Sequence, residues 1–315
     1  MNSIKIIANG VYLPDNEISN EALNEIYNLE NNWIYKRTGI KKRWYETGNT
    51  IEKMAINAVE NLINNNNLKI EELREKVGVI VVATTSSTKI MPGISNEVQK
   101  YLGIKECICL DISAGCSGYI NALDIVRKYI CLDNIDYGLV IGVEKLSEYV
   151  DKEDINTRII LGDGAGVTLV GKSTRKSKKY YQKITSTYEN NEILVCDNQN
   201  KCINMNGKSI YKYATTYTVN NIKEILEQSK ICIDDIKYIV PHQSNKRILD
   251  AITQKLELSK EKVFSNIENI GNTFCASIPI ALNEMIKNNL IKDGDLIILL
   301  GYGGGLNLGS ILLEF

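Results

Sequence analysis

Histidine is almost missing from this sequence, since His242 is the only one among 315 residues. Any mechanism that needs two histidines at one site is therefore excluded. Long apolar runs are also missing, because no stretch approaches the ~18 apolar residues that a membrane-spanning helix needs. The first residues carry apolar runs too short for the core of a signal peptide. We therefore expect a soluble, cytoplasmic protein.

Neither sign of charge is in excess. The chain has 37 Lys and Arg against 38 Asp and Glu, which gives a net charge of −1. Nothing in this balance points to nucleic acid or an anionic membrane as a partner. A hydrophobic fraction of 44% and a charged fraction of 24% are typical of a globular protein. The length suits one large domain or two fused ones.

The eight cysteines follow neither a disulfide nor a metal pattern. Most lie in apolar runs, where a reduced cysteine packs as a small hydrophobic residue. Cys107 and Cys109 form a C-x-C within a predicted strand, so their thiols would share one face, with no second ligand pair at zinc spacing. We expect packing roles for the cysteines other than Cys116, and no metal.

Short apolar runs bounded by glycines predict buried strands, and amphipathic patterns between them predict helices. The predicted strands are 77–84, 106–113, 137–144, 165–171, 237–240, 295–301 and 308–315. The predicted helices are about 50–63, 94–102, 117–131, 207–229, 244–256 and 276–289. Strands that alternate with helices are typical of an α/β architecture with mostly parallel sheets.

A faint internal repeat divides the chain. Each half ends with an apolar strand, a glycine cluster and another strand, with GDGAG (162–166) in the first half and GYGGG (301–305) in the second. A polar, basic stretch lies between the halves. We place the boundary there, with halves 1–171 and 172–315, and expect a shared cleft where the two sheets pack together.

Cys116 lies in DISAGCSGYINAL (111–123), where a predicted strand gives way to a helix. A thiol at a helix N-terminus experiences the positive end of the helix dipole, which lowers its pKa and favours the nucleophilic thiolate. Its backbone N–H can also face an oxyanion. The alternative is a buried structural cysteine in a tight turn, and this segment alone does not decide between them.

Two further polar side chains follow predicted strands or precede helices. His242 comes directly after a buried strand, at the position where open α/β sheets place functional groups. Asn272 lies in a loop before a helix and can donate an amide hydrogen bond into a cleft. Taken singly, each has a plainer explanation, a satisfied polar histidine and a helix N-cap.

Together, Cys, His and Asn suit a decarboxylative Claisen condensation. The thiolate takes an acyl group from a thioester, and a second thioester loses CO₂ to become an enolate. The neutral donors His242 Nε2–H and the Asn272 amide stabilise its oxyanion. The carbonyl oxygen of the acyl group on Cys116 is held by the N–H groups of Cys116 and Gly304. Decarboxylation supplies the carbanion, so no base needs to remove a carbon-bound proton.

These motifs resemble the β-ketoacyl-acyl carrier protein synthase III family of the thiolase superfamily. The matching pieces, in order, are ANGVYLP, WIYKRTGI, DISAGCSG, GDGAG, MNG, VPHQSNKRI, GNT and GYGGGLNLGS. The resemblance implies a thiolase-like five-layered αβαβα fold of two duplicated halves, and a homodimer. It also implies an acyl-CoA primer, malonyl-acyl carrier protein as the second substrate, and no cofactor.

The resemblance further assigns site residues. It places catalysis on Cys116, His242 and Asn272. In the family, a tunnel takes the pantetheine arm and coenzyme A, and a residue of the partner subunit closes the acyl pocket. The matching tunnel positions here are Trp33, Arg37, Gly207, Asn245 and Arg247, and the matching pocket position is Met91.

Some positions depart from the family pattern. Phe274 and Cys275 stand where small residues are typical, so Phe274 is expected to narrow or reshape the pocket near Asn272. Ile155 stands where some members have an arginine that grips the coenzyme A adenine, and LNLGS (306–310) replaces a more aromatic run. These changes leave the catalytic trio intact and concern the primer and its carrier.

Three functions are therefore open. The first is initiation of fatty acid synthesis by condensation of an acyl-CoA primer with malonyl-acyl carrier protein. The second is a related condensing enzyme or acyltransferase of a specialised pathway with a non-acetyl primer. The third is a non-catalytic thiolase-fold scaffold, whose signature would be the loss of one of the trio. The single histidine excludes elongating ketosynthases, which use Cys-His-His.

Overall fold

The computed structural model describes residues 3–133, 135–173, 179–188, 191–196 and 202–315. Its strands are β1 (Ile4–Tyr12), β2 (Glu17–Ser19), β3 (Lys42–Trp44), β4 (Val77–Ala83), β5 (Ile108–Ile112), β6 (Tyr137–Glu144), β7 (Gly164–Lys172), β8 (Tyr180–Ser186), β9 (Leu194–Cys196), β10 (Ile203–Met205), β11 (Ile236–Pro241), β12 (Leu296–Gly303) and β13 (Asn307–Glu314). Its helices are α1 (Asn20–Tyr27), α2 (Trp33–Thr38), α3 (Ile51–Asn65), α4 (Ile70–Lys76), α5 (Ile94–Leu102), α6 (Gly118–Leu132), α7 (Ile155–Arg158), α8 (Gly207–Ser229), α9 (Lys246–Lys255), α10 (Ile267–Ile270) and α11 (Ser277–Lys287).

Two mixed sheets form the core. The first has the strand order β1-β7-β6-β4-β5, and the second has the order β11-β12-β13-β8. The prediction of mostly parallel sheets is wrong, because β7 and β13 run antiparallel to both of their neighbours. Each of these strands follows its predecessor through a loop with no crossover helix packed on the sheet. A chain that returns this way runs antiparallel to the strand it has just left.

The two halves repeat the same strand plan. β1, β4, β6 and β7 of the first sheet correspond in order and direction to β8, β11, β12 and β13 of the second. A parallel bridge between Ile239 and Val263 lies beside β11, at the place that β5 takes beside β4. The strand plan therefore supports the predicted duplication. The boundary at 171/172 stays a prediction, which fits the end of β7 at Lys172.

Five layers alternate from one side of the molecule to the other. One apolar cluster packs α3 and α5 on the outer face of the first sheet, and another packs α8 and α9 on the outer face of the second. A third cluster holds α6 and α11 between the sheets, with side chains from both. The predicted αβαβα arrangement is thus confirmed, and the middle helices are shared by the two halves.

The ends of several elements differ from the sequence prediction for local reasons. α6 begins at Gly118, because Gly115–Ser117 first form a 3₁₀ turn. α9 begins at Lys246, since Asn245 caps it by accepting a hydrogen bond from the N–H of Arg247. The edge strands β1 and β8 were not predicted from the sequence. Across the described parts of the chain, no helix is both long and apolar enough to span a bilayer.

Gly142 allows the loop before α11 to pack directly on β6. A Cβ at this position would lie 2.1 Å from the backbone oxygen of Cys275. We therefore expect Gly142→Ala to lower the free energy of unfolding by about 1–3 kcal/mol or more, because backbone must shift. Gly48→Ala is the matched control, since its added Cβ would meet only Glu46 Oε1 at 3.8 Å. Equal stability of the two variants in urea unfolding would contradict this close approach.

Candidate active site

A cavity of about 1340 Å³ opens between the two halves, and most of the predicted site residues line it. The predicted residues in its wall are Trp33, Arg37, Cys116, Gly207, His242, Asn245, Arg247, Asn272 and Phe274. Gly304 and Met91 are not in its wall. The structure thus brings the predicted catalytic trio to one cavity, although its members lie far apart in the sequence.

Glycines on two chains shape the surroundings of Cys116. Gly115 has a φ of +56°, and a Cβ there would lie 2.9 Å from the backbone oxygen and 3.0 Å from the backbone nitrogen of Gly304. A Cβ on Gly303 would lie 2.8 to 3.0 Å from the Cβ, N and Sγ atoms of Cys116. The turn that carries Cys116 therefore packs directly on the GYGGG loop, as only glycine permits. Gly303, which sequence reasoning missed, is the residue of that loop in contact with the sulfur.

The thiol of Cys116 does not gain the lowered pKa expected from its place before a helix. Burial raises its pKa, the nearby carboxylate of Glu144 raises it further, and only a backbone N–H lowers it. Cys116 is 3% exposed, so the loss of hydration is the largest of these influences on its pKa. The expectation of a populated thiolate in the free site is therefore wrong.

Glu144 is the carboxylate at the end of β6 and is itself fully buried. Its oxygens accept hydrogen bonds from the N–H and hydroxyl of Thr85 and from the hydroxyl of Ser86. Burial raises the pKa of Glu144, while these donors lower it. They hold the loop after β4 against the end of β6, beneath the cysteine.

His242 is held on all sides except one. The backbone N–H of His242 donates to the backbone oxygen of Leu300 at 2.7 Å. The rings of His242 and Tyr302 pack edge to face, with their centroids 5.4 Å apart. Nδ1 lies 2.8 Å from Oγ of Ser277, which leaves Nε2 for the cavity. Burial lowers the pKa of His242 to about 3, so the imidazole is neutral at pH 7. Ser277 and Tyr302 were not singled out from the sequence.

Asn272 is fixed by its own loop. Its Oδ1 accepts the N–H of Phe274 at 3.0 Å, so its amide NH₂ is the part left to donate. The backbone N–H of Asn272 donates to the backbone oxygen of Ile160, and its backbone oxygen accepts the N–H of Gly162. It does not cap α11, whose N-cap is Ala276, so the plainer N-cap explanation fails for that helix.

Phe274 has a backbone conformation that side chains rarely adopt. Its φ is +41°, and its side chain is 6% exposed. It packs with Cys116, Leu146, Leu161 and Ile203 in one apolar cluster beside the sulfur. Phe274 thus lies beside Cys116 and in the cavity wall, and the narrowing of the pocket by its ring stays a prediction. The cluster itself was not predicted, because its members come from separate loops and strands.

The mouth of the cavity is built from α2 and the start of α9. The guanidinium of Arg37 lies over the ring of Trp33, 4.0 Å from its centroid. The amide of Asn245 donates to the backbone oxygen of Arg37 at 3.3 Å, and Arg247 donates to that of Lys36 at 3.1 Å. Asn245 and Arg247 thus fasten the two helices to each other. Gly207 starts α8 in the opposite wall, where an added Cβ would meet nothing within 4 Å.

Met91 lies outside the cavity and is 79% exposed in the single chain. Its neighbour Ile90 is 98% exposed. The loop that carries them is anchored from β5, because the carboxylate of Asp111 accepts the backbone N–H groups of Ile94 and Ser95. The two large apolar side chains of Ile90 and Met91 therefore project from the surface on a loop whose base is anchored to β5.

Among the described residues, no cluster of three or more His, Cys, Asp or Glu could hold a metal ion.

Comparison with known proteins adds to this picture. The family model described as 3-oxoacyl-[acyl-carrier-protein] synthase III matches residues 110–188, and the model of its C-terminal part matches residues 226–315. The chain is 41% identical over 311 residues to a β-ketoacyl-[acyl-carrier-protein] synthase III of Aquifex aeolicus, with 99% of each chain covered. It is 35% identical over 328 residues to that of Clostridium acetobutylicum, covering 100% of this chain and 99% of the relative.

A solved structure agrees with these likenesses. The crystal structure of 3-oxoacyl-[acyl-carrier-protein] synthase III from Aquifex aeolicus covers 100% of both chains, with a TM-score of 0.93 and 40% identity. Fold and comparisons define a condensing enzyme of the thiolase fold. Within that class, the chain belongs to the β-ketoacyl-acyl carrier protein synthase III family.

The buried neutral His242 makes stability depend on pH. Its pKa is about 3 in the folded protein and about 6.5 in an unfolded chain, so between these values the unfolded state binds more protons. Stability is then lost as pH falls below about 6.5. Between pH 7 and pH 5 we expect this residue to cost about 2 kcal/mol of unfolding free energy. Urea unfolding of wild type and His242→Gln tests this, and an equal loss in both proteins would contradict it.

Proposed function

We propose that this protein is a β-ketoacyl-acyl carrier protein synthase III that initiates fatty acid biosynthesis. It transfers an acyl group from coenzyme A to Cys116 and condenses it with malonyl-acyl carrier protein. The observation that carries the proposal is the meeting of Cys116, His242 and Asn272 in one cavity, with Asn272 oriented as a donor. The names of the relatives support this function over a specialised pathway or a scaffold.

In the first step, the sulfur of Cys116 attacks the thioester carbonyl of the primer. The carbon–sulfur bond to coenzyme A breaks, and the proton of Cys116 leaves with the coenzyme A thiol. The buried site therefore has the same net charge before and after transfer, which suits a thiol whose pKa burial raises. The N–H of Cys116 holds the oxyanion of the tetrahedral intermediate, and the N–H of Gly304, which lies outside the cavity wall, stays a predicted second donor.

In the second step, the malonyl carboxylate leaves as CO₂, and its electron pair becomes the enolate of the remaining thioester. Nε2–H of His242 and the amide of Asn272 donate to the enolate oxygen. The carbanion attacks the acyl carbonyl on Cys116, and the intermediate collapses to the β-ketoacyl product and a thiolate, which takes a proton from water. A neutral imidazole suits this role, because its pKa of about 3 keeps it uncharged at pH 7.

The apolar cluster beside the sulfur holds the acyl chain in this proposal. Leu146, Leu161 and Ile203 present side chains with no polar group to the sulfur of Cys116. An acyl chain placed among them leaves water, which stabilises the acyl-enzyme. Phe274 sets the size of this pocket next to Asn272.

The tunnel to this pocket takes the pantetheine arm. Its mouth carries an aromatic ring and two guanidinium groups, from Trp33, Arg37 and Arg247, which suit the adenine and phosphates of coenzyme A. Asn245 and Gly207 complete the walls that the arm passes. No cofactor, no nucleic acid and no membrane partner enter this proposal, and the cytoplasmic location stays a prediction.

A homodimer completes the site. Among the described strands, β5 is the last of the first sheet, so one of its edges has no partner strand there, and its Ile108, Leu110 and Ile112 are only half-buried. An exposed apolar edge of this kind pairs readily with a second copy. The loop with Met91 is anchored to this same strand through Asp111. Met91 therefore reaches the partner's acyl pocket when two β5 edges meet.

Purified protein with acetyl-CoA and malonyl-acyl carrier protein tests the reaction. We expect the β-ketoacyl product from wild type and none above background from Cys116→Ala, because the acyl carrier is lost. His242→Ala and Asn272→Ala should still acylate Cys116, as intact mass would detect, while condensation falls about 10²–10³-fold. Asn269→Ala is the matched control, since Asn269 is exposed in α10, just before the loop that carries Asn272.

Two outcomes would contradict the proposal in different ways. An acyl adduct on Cys116 with no condensation product would favour acyl transfer in a specialised pathway. The absence of any adduct with acyl-CoA donors would favour a non-catalytic scaffold.

Light scattering tests the dimer. We expect a mass twice the 35.4 kDa of the chain for wild type. Leu110→Arg should give the monomer mass, because a charge on the β5 edge opposes pairing. Leu132→Arg is the control, since Leu132 is 80% exposed at the end of α6. A wild-type monomer, or an intact Leu110→Arg dimer, would reject this interface and with it the role of Met91.

A further inference from the structure

Among the described residues, Ser277 is the one whose side chain lies within hydrogen-bonding distance of a ring nitrogen of His242, and the proposed mechanism gives it no role. It is the first residue of α11 and is 1% exposed. Its Oγ has two hydrogen-bonding neighbours among the described residues. One is Nδ1 of His242 at 2.8 Å, and the other is the backbone N–H of Gln243 at 3.2 Å.

The two neighbours of Ser277 are not equivalent. A hydroxyl has one proton to donate and can accept two hydrogen bonds. The N–H of Gln243 can only donate, so Oγ accepts there. The serine proton then needs an acceptor of its own, and the lone pair of Nδ1 is the one within reach. If Nδ1 carried the proton instead, the buried hydroxyl would have no acceptor, which is costly.

The geometry around Gln243 keeps this arrangement in place. Its side-chain NH₂ donates to the backbone oxygens of Pro241 and Phe264, at 2.8 and 3.2 Å, and its Oε1 accepts the N–H of Asn266. The backbone N–H that faces Ser277 is therefore fixed by three bonds of the same residue. If Nδ1 of His242 were protonated, Oγ of Ser277 would have to accept its hydrogen bond. The serine hydroxyl proton would then have no acceptor.

We propose that Ser277 is a positioning residue that sets the tautomer of His242. It donates to Nδ1 and so leaves the single imidazole proton on Nε2, which faces the cavity. This inference rests on the proposed function, since an Nε2–H donor is what an enolate oxygen needs. An Nε2 lone pair would repel that oxygen instead.

The loop before α11 then controls both donors. The N–H of Phe274 fixes Asn272 with its NH₂ toward the cavity, and three residues later Ser277 fixes the proton of His242. The left-handed backbone at Phe274 and the start of α11 at Ser277 therefore both orient hydrogen-bond donors toward the cavity. Neither residue needs to touch the reacting atoms to do this.

Nitrogen NMR tests the tautomer directly. The chain has one histidine, so ¹⁵N-histidine-labelled protein without a histidine tag gives imidazole signals from His242 alone. At pH 7 we expect Nε2 protonated and Nδ1 unprotonated in wild type. A protonated Nδ1, or a doubly protonated ring, would overturn the proposal whether or not the enzyme condenses acyl groups.

Variants test the part of Ser277. In Ser277→Ala we expect a changed Nδ1 signal and condensation at least tenfold slower, with acylation of Cys116 unchanged, because only the enolate step uses Nε2–H. Ser277→Thr keeps the hydroxyl and should restore both the signal and the rate, and Ser277→Cys is the alternative if the added methyl is not accommodated. A wild-type tautomer and rate in Ser277→Ala would mean that Ser277 only packs. Loss of acylation in wild type would reject the proposed function while leaving the tautomer result intact.

Discussion

The contact between Gly118 and Cys275 joins the starts of the two central helices. Cys275 Sγ lies 2.9 Å from where a Cβ on Gly118 would be, and it approaches the backbone oxygen of Gly115 at 3.0 Å. α6 and α11 are buried between the two sheets, so neither can move away without opening the core. Because the helices begin side by side, the turn with Cys116 and the loop with Asn272 must face one cavity.

Burial sets the electrostatics of that cavity. The same loss of hydration raises the pKa of Cys116 and lowers that of His242, so at rest the sulfur is a thiol and the imidazole is neutral. Keeping these two reactive groups neutral avoids the cost of burying their charges before substrate arrives. In the proposed mechanism, charge develops mainly on the substrate's oxygen, where backbone N–H groups and fixed side-chain donors would stabilise it.

The sequence predicted the strands and helices of the core well, because their apolar periodicity reflects burial on one or both faces. Cys116, His242 and Asn272 were singled out as candidates for a related reason, since each lies where a strand ends or a helix is about to begin. Sequence reasoning missed Ser277, whose role depends on a contact 35 residues away in the chain. It missed Gly303 as a contact of Cys116, because close backbone approach leaves no apolar pattern.

By itself, the sequence determined the fold class, the family and the candidates for the reactive side chains, because periodicity and residue type are local properties. Only the tertiary structure decided the direction of β7 and β13, the protonation of Cys116 and the partners of the imidazole. Sheet direction depends on how a loop returns, and a pKa depends on how much water the packed chain excludes. Both are set by residues distant in sequence, which no local pattern encodes.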